Sequence, residues 1–259
     1  SWAPFNIYEF ASWARATVVP MLIILTRQPY CPVPESANID ELYPNGREGT
    51  NYTLPKPTGG FGWAKGLYWT DKLVGLYQRL PVHPLRGRAE QKIMQWVLEH
   101  QEADGSWAGI QPPWVYSLIA LHTTGYGPEH EAVKKGFQGF ETFSLEDEYK
   151  CNVQACISPV WDTCIAQLAL LESGVAPDDP MVQSSARWLM DKQIFAGGDW
   201  QVRAKDVRPG GWSFEFDNQI YPDIDDASIV VMALDQVRLP EAEEPRRADS
   251  IQRGVEWMA

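Results

Sequence analysis

The sequence predicts an all-α fold whose helices lie in two concentric layers. Apolar residues recur at helical spacing over most of the chain after Gly62. Two kinds of helix also alternate: polar-faced helices that end in a Gln, a Gly-bearing turn and a Trp, and more apolar helices that begin at Pro or Asp. The 259-residue chain is 44% hydrophobic and 22% charged, so it can bury a core in one or two domains.

The first predicted helix covers residues 7–21. One face repeats at steps of three and four through Ile7, Phe10, Ala14, Thr17 and Met21. Pro20 should kink or end this helix, because proline lacks the backbone N–H. Residues 29–62 are rich in Pro, Gly, Asn and Glu, which predicts a long, partly ordered connection.

A short pattern follows two of the later helices. Gln101, Gly105 and Trp107 form the first copy, and Gln193, Gly198 and Trp200 form the second. Such recurrence is typical of stacked helical hairpins. A Trp ring can pack on a Gln amide that caps backbone groups at a helix end, so we assign both copies a structural role.

The more apolar helices have recognisable start and stop signals. One is predicted to follow Pro112 and stop at Gly125, and another to follow Pro159 and stop at Gly174. A third is predicted to begin at the acidic residues around Asp225.

Composition and residue patterns exclude several classes of function. The net charge of -12 disfavours nucleic acid as a partner. The four Cys and four His show no metal-ligand spacing, and we expect the cysteines to be reduced. The longest apolar run, residues 18–25, is too short to span a bilayer. The chain starts at Ser1 and stops within a predicted helix, so we expect it to be a piece of a longer protein.

The segment from Gly210 to Asp226 carries the chemistry. Asp223, Asp225 and Asp226 place three carboxylates in four positions, after a cluster of aromatic residues and before an apolar helix. They could simply cap the helix and interact with its dipole, although one Asp would suffice for that. Alternatively, crowded carboxylates raise one another's proton affinity, so that one stays a carboxylic acid near neutral pH. A metal site is a third reading, for which a single Asp-rich run is weak support.

These motifs resemble those of the class II triterpene cyclases. Residues 223–226 match their DxDD acid motif, and the Gln-to-Trp copies at 101–107 and 193–200 resemble their QW repeats. Longer stretches are similar to bacterial squalene-hopene cyclases, namely 6–19, 104–121, 158–163 and 210–226. The resemblance implies an alpha/alpha toroid fold in two domains. Residues 1–148 would be the later half of an inserted barrel, and residues 149–259 the first part of the catalytic barrel.

The resemblance also implies a mechanism. Squalene has no leaving group and no carbonyl, so cyclisation must start by protonation of a terminal alkene. Asp225 would be the proton donor, and Asp223 and Asp226 would tune and orient it. The carbocation would then be stabilised by aromatic faces, which attract cations without capturing them.

Seven residues match substrate-contacting positions of the family. Trp13, Trp161 and Phe214 would line the cavity, Gln111 and Pro112 its polar end, and Phe10 and Val18 the narrow substrate channel. From the residues alone, Trp161 could equally be a core residue. No cofactor and no metal are implied.

The implied partners are squalene and, for the complete protein, a membrane surface. The resemblance implies a monotopic homodimer on the cytoplasmic side of the cell membrane. We expect residues 1–259 alone to be inactive. Two alternatives stay open: a class II cyclase acting on another polyprenyl chain, and a non-catalytic helical toroid that binds proteins, in which the Asp cluster only caps a helix.

Overall fold

A computed structural model describes residues 6–60 and 62–259, so that Phe61 of the predicted connection lies outside the described residues. Within these ranges the chain is helical apart from one β-hairpin. The α-helices are α1 (Ser12–Arg27), α2 (Gly46–Gly49), α3 (Trp63–Gln78), α4 (Arg86–Glu99), α5 (Gln111–Thr123), α6 (Glu131–Thr142), α7 (Pro159–Glu172), α8 (Pro180–Asp191), α9 (Ile224–Asp235) and α10 (Glu244–Met258). Short 3-10 helices cover Ile7–Glu9, Glu35–Ala37, Asp40–Leu42 and Asp199–Val202.

The β-hairpin joins the two helical halves of the chain. Strands β1 (Ser144–Glu146) and β2 (Cys151–Val153) pair antiparallel, with Leu145 opposite Asn152. The predicted domain boundary at residues 148 and 149 falls in the turn of this hairpin and stays a prediction.

The chain divides into two compact units. One consists of Ser1–Gln28 and Gln91–Ala259, and the other of Pro29–Glu90. In the smaller unit, residues 29–60 contain only short helices, which confirms the predicted connection. Helix α3 follows it and buries none of its residues.

The first helix differs from its prediction at both ends. A 3-10 turn occupies Ile7–Glu9, α1 begins at Ser12, and α1 then continues through Pro20 to Arg27. The proline removes one backbone donor, but Val19, Pro20 and Ile23 are all buried. Packing of this face therefore outweighs the helix-breaking tendency of proline.

The predicted alternation of two kinds of helix is confirmed in the larger unit. Helices α5, α7 and α9 are apolar on several sides, whereas α6, α8 and α10 are amphipathic. Helix α1 packs on α5 and α7 packs on α9, while α6, α8 and α10 form a second layer against them. The stop signals are also confirmed, since Gly125 and Gly174 follow α5 and α7 in the left-handed conformation.

Two hydrophobic cores fill the larger unit. The first is formed by α1, α4, α5 and α6 around Trp107 and Trp114, and the second by α7 to α10 around Trp212. Tyr221 precedes α9 in the chain but is buried in the first core. No helix of the described residues is long and apolar enough to cross a membrane.

The first Gln/Gly/Trp copy forms the predicted structural junction. The side-chain amide of Gln101 donates to the carbonyls of Gly105 (3.0 Å) and Ala132 (2.8 Å). The indole N–H of Trp107 donates to the carbonyl of Val97 (2.7 Å). The copy thus ties the end of α4 to the start of α6, and it satisfies buried polar groups on both sides.

The second copy has the same geometry but uses a different Trp. The amide of Gln193 donates to the carbonyls of Gly210 (2.8 Å) and Ser250 (2.9 Å). The indole of Trp212 donates to the carbonyl of Leu189 (2.7 Å). In both copies the indole therefore reaches the residue four positions before the Gln.

The assignment of Gly198 and Trp200 to the second copy was wrong. The Gln and the Gly are 4 residues apart in the first copy and 17 residues apart in the second, so thirteen residues are inserted. Trp200 belongs to the inserted loop, residues 194–209, which is thirteen residues longer than its counterpart at 102–104. Trp200 packs edge-on against Trp257. Two Gly–x–Trp sequences follow Gln193, and only their hydrogen bonds distinguish them.

Candidate active site

A cavity of about 250 Å³ lies at the start of α9, beside the first core. Its lining residues are Trp13, Ala108, Ile110, Trp161, Phe214, Asn218, Tyr221, Asp223, Asp225 and Asp226. The wall is mainly apolar, and the acidic residues all come from the start of α9. The structure thus brings six of the ten predicted site residues together.

The three carboxylates are arranged by the way α9 begins. Asp223 is the N-cap residue, and its Oδ1 accepts a hydrogen bond from the backbone N–H of Asp226 (2.8 Å). The backbone N–H of Asp223 in turn donates to the carbonyl of Trp212 (3.1 Å). The helix start is therefore fixed to the buried Trp of the second Gln/Gly/Trp copy.

The carboxylates of Asp225 and Asp226 have opposite environments. Asp225 is exposed at the cavity, whereas Asp226 is 1% exposed and its Oδ1 has no hydrogen-bond partner among the described residues. Burial, followed by the neighbouring carboxyls of Asp223 and Asp225, raises the pKa of Asp226 to about 9. A pKa this high favours the neutral carboxylic acid at neutral pH. The expectation that one acid of the cluster holds a proton during catalysis stays a prediction.

A buried thiol lies behind this acid. Cys164 of α7 is fully buried, and burial is the main cause that raises the pKa of its thiol to about 12. The thiol is therefore uncharged at neutral pH. Among the described residues no group of acidic, His and Cys side chains could hold a metal ion.

Three aromatic rings line the same cavity as the acids. Trp13 comes from the first turn of α1, Trp161 from the first turn of α7, and Phe214 from the loop before α9. Trp13 is half exposed and Trp161 is partly buried, so neither ring is fully buried in a hydrophobic core. Their faces can stabilise positive charge without providing a nucleophile.

Four lining residues were not predicted from the sequence. Ala108 and Ile110 follow the Trp of the first copy, and Asn218 and Tyr221 precede the acid motif. Proximity to those motifs was the only sequence signal available. Tyr221 is 1% exposed, and its hydroxyl has no partner among the described residues.

The other four predicted residues lie outside the cavity lining. Gln111 begins α5, and its amide donates to the carbonyl of Gln154 (2.8 Å). Pro112 and Phe10 are exposed, and Val18 is partly buried in α1. Their roles at the polar end of the cavity and in the substrate channel stay predictions.

A second pair of buried acids stands behind the cavity wall. Glu102 and Glu215 are each 4% exposed, and burial is the main cause that raises the pKa of both carboxyls. Glu102 accepts hydrogen bonds from the Ser106 hydroxyl (2.7 Å) and the Gly109 N–H (3.1 Å). A side chain at Gly109 would meet Cβ of Glu215 at 2.8 Å, so only glycine fits between the two acids.

The layered helical fold and the acidic motif are those of a class II terpene cyclase. Residues 1–149 match the family model of the squalene-hopene cyclase N-terminal domain, and residues 157–259 match that of the C-terminal domain. The chain therefore belongs to the squalene-hopene cyclase family.

Individual relatives agree with this assignment. The squalene-hopene cyclase of Alicyclobacillus acidocaldarius is 45% identical over 98% of this chain and 39% of the relative. Dammaradiene synthase of Dryopteris crassirhizoma is 37% identical over 100% of this chain and 37% of the relative. The squalene-hopene cyclase of Bradyrhizobium diazoefficiens is 32% identical, with coverages of 99% and 39%. The chain thus spans about two fifths of the length of these relatives.

Proposed function

We propose that this chain carries the acid and part of the cavity of a squalene-hopene cyclase. The complete protein would protonate a terminal alkene of squalene and cyclise the resulting cation to hopene-type pentacyclic products. One observation carries the proposal: three carboxylates at the start of α9 share a cavity with the rings of Trp13, Trp161 and Phe214. The names of the relatives support squalene as the substrate.

Within this proposal Asp225 donates the proton. It is the acid that is exposed at the cavity, whereas Asp223 caps the helix and Asp226 is buried. The N-terminus of α9 stabilises the carboxylate that remains after transfer, by about 0.3–2 kcal/mol. Because Asp226 keeps its own proton, it adds no second negative charge beside Asp225 and therefore does not weaken the donor.

The proton balance of the reaction is simple. The acid loses one proton to the alkene carbon, and the final carbocation loses one proton from a carbon as the product alkene forms. The carboxylate then takes up one proton, so substrate and hydrocarbon product are isomers. Rings such as Trp161 and Phe214 would stabilise the intermediate cations between these two steps.

Closure of the cavity is part of the proposal. Asp225 and Trp13 are exposed in the chain described here. A strong acid needs a dry site, because water both captures cations and lowers the strength of charge interactions. We propose that the remaining length of the complete protein covers these residues, and that residues 1–259 alone do not cyclise squalene.

We also propose that the complete protein is a monotopic homodimer at the cytoplasmic face of the membrane. Squalene is an oil that partitions into lipid, so an enzyme that takes it up gains access by lying on the bilayer. The dimer rests on the family resemblance alone.

Replacing Asp225 with Asn in the complete protein tests the proposed function. We expect a folded protein whose cyclisation of squalene falls by a factor of at least about 10³, because the amide cannot supply the proton. Gas chromatography with mass spectrometry measures hopene-type products and would also reveal cyclisation of other polyprenyl chains.

Asp235→Asn is the matched control. This exposed residue lies at the opposite end of α9 and should leave turnover unchanged. Full activity of folded Asp225→Asn would reject Asp225 as the donor and favour a protein-binding toroid. Turnover of a different polyprenyl chain in place of squalene would favour the other class II alternative.

A further inference from the structure

A buried carboxylate outside the cavity joins three parts of the larger unit. Both side-chain oxygens of Asp199 are paired: Oδ2 with Nε of Arg15 (2.6 Å) and Oδ1 with Nε2 of His100 (3.1 Å). Nη2 of Arg15 also donates to the backbone carbonyl of Asp199 (2.8 Å). The side chains of Arg15 and Asp199 are 3% and 4% exposed. Burial alone would raise the pKa of Asp199, but hydrogen bonds from His100 and Arg15 outweigh it and hold the pKa below its ordinary value.

Asp199 lies in the inserted loop of the second Gln/Gly/Trp copy, residues 194–209. In the first copy the Gln and the Gly are only 4 positions apart, so the separation of 17 positions in the second copy is not needed for the junction itself. The inserted loop contains the 3-10 helix Asp199–Val202. Its contacts therefore indicate what the additional residues do.

On one side the insertion holds the start of α1. Nη1 of Arg15 donates to the carbonyl of Phe10 (2.5 Å), which fixes the turn that leads into the helix. Arg203, at the end of the 3-10 helix, pairs with Glu9 in the same turn. Trp13 lies between these anchor points and projects into the cavity. The ion pairs of Arg15 and Arg203 therefore hold the segment that carries the Trp13 ring.

On the other side the insertion holds the segment before the acid motif. The backbone N–H of Asp199 donates to the carbonyl of Ile220 (3.3 Å). A side chain at Gly198 would meet the same oxygen at 2.7 Å, so the two backbones are in close contact. The next residue, Tyr221, lines the cavity, and the N-cap Asp223 follows two positions later.

We propose that Asp199 is a positioning residue, which holds Trp13 at a fixed place relative to the acids of α9. It touches neither the cavity nor any acid of the motif, and it acts through Arg15 on one side and Ile220 on the other. The inference rests on the proposed function, because it assigns Trp13 to stabilisation of a cation that Asp225 generates. The inserted loop would accordingly serve cavity geometry, whereas the Gln/Gly/Trp junction serves stability.

The test uses the complete protein that contains residues 1–259, with squalene as substrate. Asp199→Asn keeps the shape of the side chain but removes the charge that Arg15 faces. A buried guanidinium without its carboxylate can prevent folding, so a second variant, Arg15→Met with Asp199→Leu, removes both charges together. Glu243→Gln is the control, because Glu243 forms a two-contact pair with Arg187 (2.6 and 2.9 Å) away from the cavity.

We expect both Asp199 variants to lower kcat by about 10- to 100-fold, since misplacement of a site by about 1 Å has effects of this size. They should also increase the share of partly cyclised products, while KM changes less than kcat. Partial unfolding lowers the rate without changing product composition, so composition separates positioning from stability. Glu243→Gln should keep the product composition of the unaltered protein.

Two results would overturn the inference: folded Asp199 variants with unaltered kcat and product composition, or an equal change of composition in Glu243→Gln. The proposed function fails separately, when the unaltered protein forms no cyclic product or when Asp225→Asn stays fully active. If the Asp199 variants keep their kcat and product composition while Asp225→Asn is inactive, only the inference about Asp199 is rejected, and the proposed function stands.

Discussion

Asp225 and Asp226 are adjacent in the chain, yet the helix gives them different surroundings. Successive side chains on an α-helix are about 100° apart, so Asp225 is exposed while Asp226, which also borders the cavity, is buried. Asp226 faces the second core, where Cys164 lies, and has no partner for Oδ1 among the described residues. A charged carboxylate in that place would be very costly, so the residue retains its proton.

The stability of the chain should therefore depend on pH through Asp226. Unfolded, this carboxyl releases its proton near pH 3.8, whereas folded it holds the proton up to about pH 9. Folding takes up a proton between these values, so the free energy of unfolding should fall as pH rises, by about 1.4 kcal/mol per pH unit from this residue. Asp226→Asn should remove this contribution, which urea unfolding at pH 4 to 8 would measure.

The comparison at pH 4 provides the internal control. At pH 4 the folded variant and the folded unaltered chain both carry a neutral side chain, and Asp226 of the unfolded chain is only partly ionised. The two proteins should therefore differ little there, and the variant should become the more stable one towards pH 8. Equal pH slopes for the two proteins would show that Asp226 is charged in the folded chain.

At the residue scale the sequence located the acidic cluster, but it did not predict how deeply each residue is buried. Crowding of three Asp predicted that one would hold a proton, and burial, which the sequence does not show, raises the pKa of Asp226. Trp161 had no decisive sequence signal, because a core Trp and a cavity Trp look alike in sequence. Tyr221 was not assigned at all, since its place depends on a core formed by distant helices.

Helix packing around the two Gln/Gly/Trp copies requires glycine on the amphipathic helices. The amides of Gln101 and Gln193 donate to carbonyls of α6 and α10, and a glycine follows each of those carbonyls by four positions. A side chain at Gly136 would meet Leu118 at 2.8 Å, and one at Gly254 would meet the Trp212 ring at 2.7 Å. The Trp ring of each copy thus packs against a helix at a glycine, where no side chain occupies the space.

Gly254→Ala should therefore destabilise the chain although alanine favours helix. The added methyl would contact Trp212 and Val231 below 3 Å, and overpacking of this kind costs about 1–3 kcal/mol. Gly75→Ala in α3 is the control, because no atom lies within 4 Å of its added methyl and helix propensity should stabilise it by about 0.5–1 kcal/mol. Chemical denaturation measures both, and equal effects would refute the packing argument.

Element boundaries were predictable where local chemistry decides them. Proline in the first turn and glycine after the last turn located α5 and α7 correctly. Pro20 misled, because α1 gains more from burying Val19 and Ile23 than it loses at the proline. The extent of the second Gln/Gly/Trp copy was not predictable either, since its Gly and its Trp are defined by long-range hydrogen bonds.

At the scale of the whole molecule, the cavity is formed by segments that are far apart in the chain. Trp13 comes from the first half of the chain and Trp161 from the second, so no single segment contains the site. Composition and periodicity predicted two layers of helices. The position of the segment before α9 depends in addition on Tyr221, which is buried in the first core. A sequence pattern predicts which face of each helix is buried, but it does not predict where a cavity remains between packed segments.

The two compact units should differ in local stability. Local opening needs little free energy where few apolar side chains are buried, and amide hydrogen exchange reports this opening. Helix α3 buries none of its residues, whereas α5 and α9 bury apolar residues such as Leu121 and Val230. We expect amides of α3 to exchange at least about 100-fold faster than those of α5 and α9, as measured by mass spectrometry on residues 1–259. The same peptides of the chemically unfolded chain correct for intrinsic rates, and equal protection of α3 and α9 would show that both units open together.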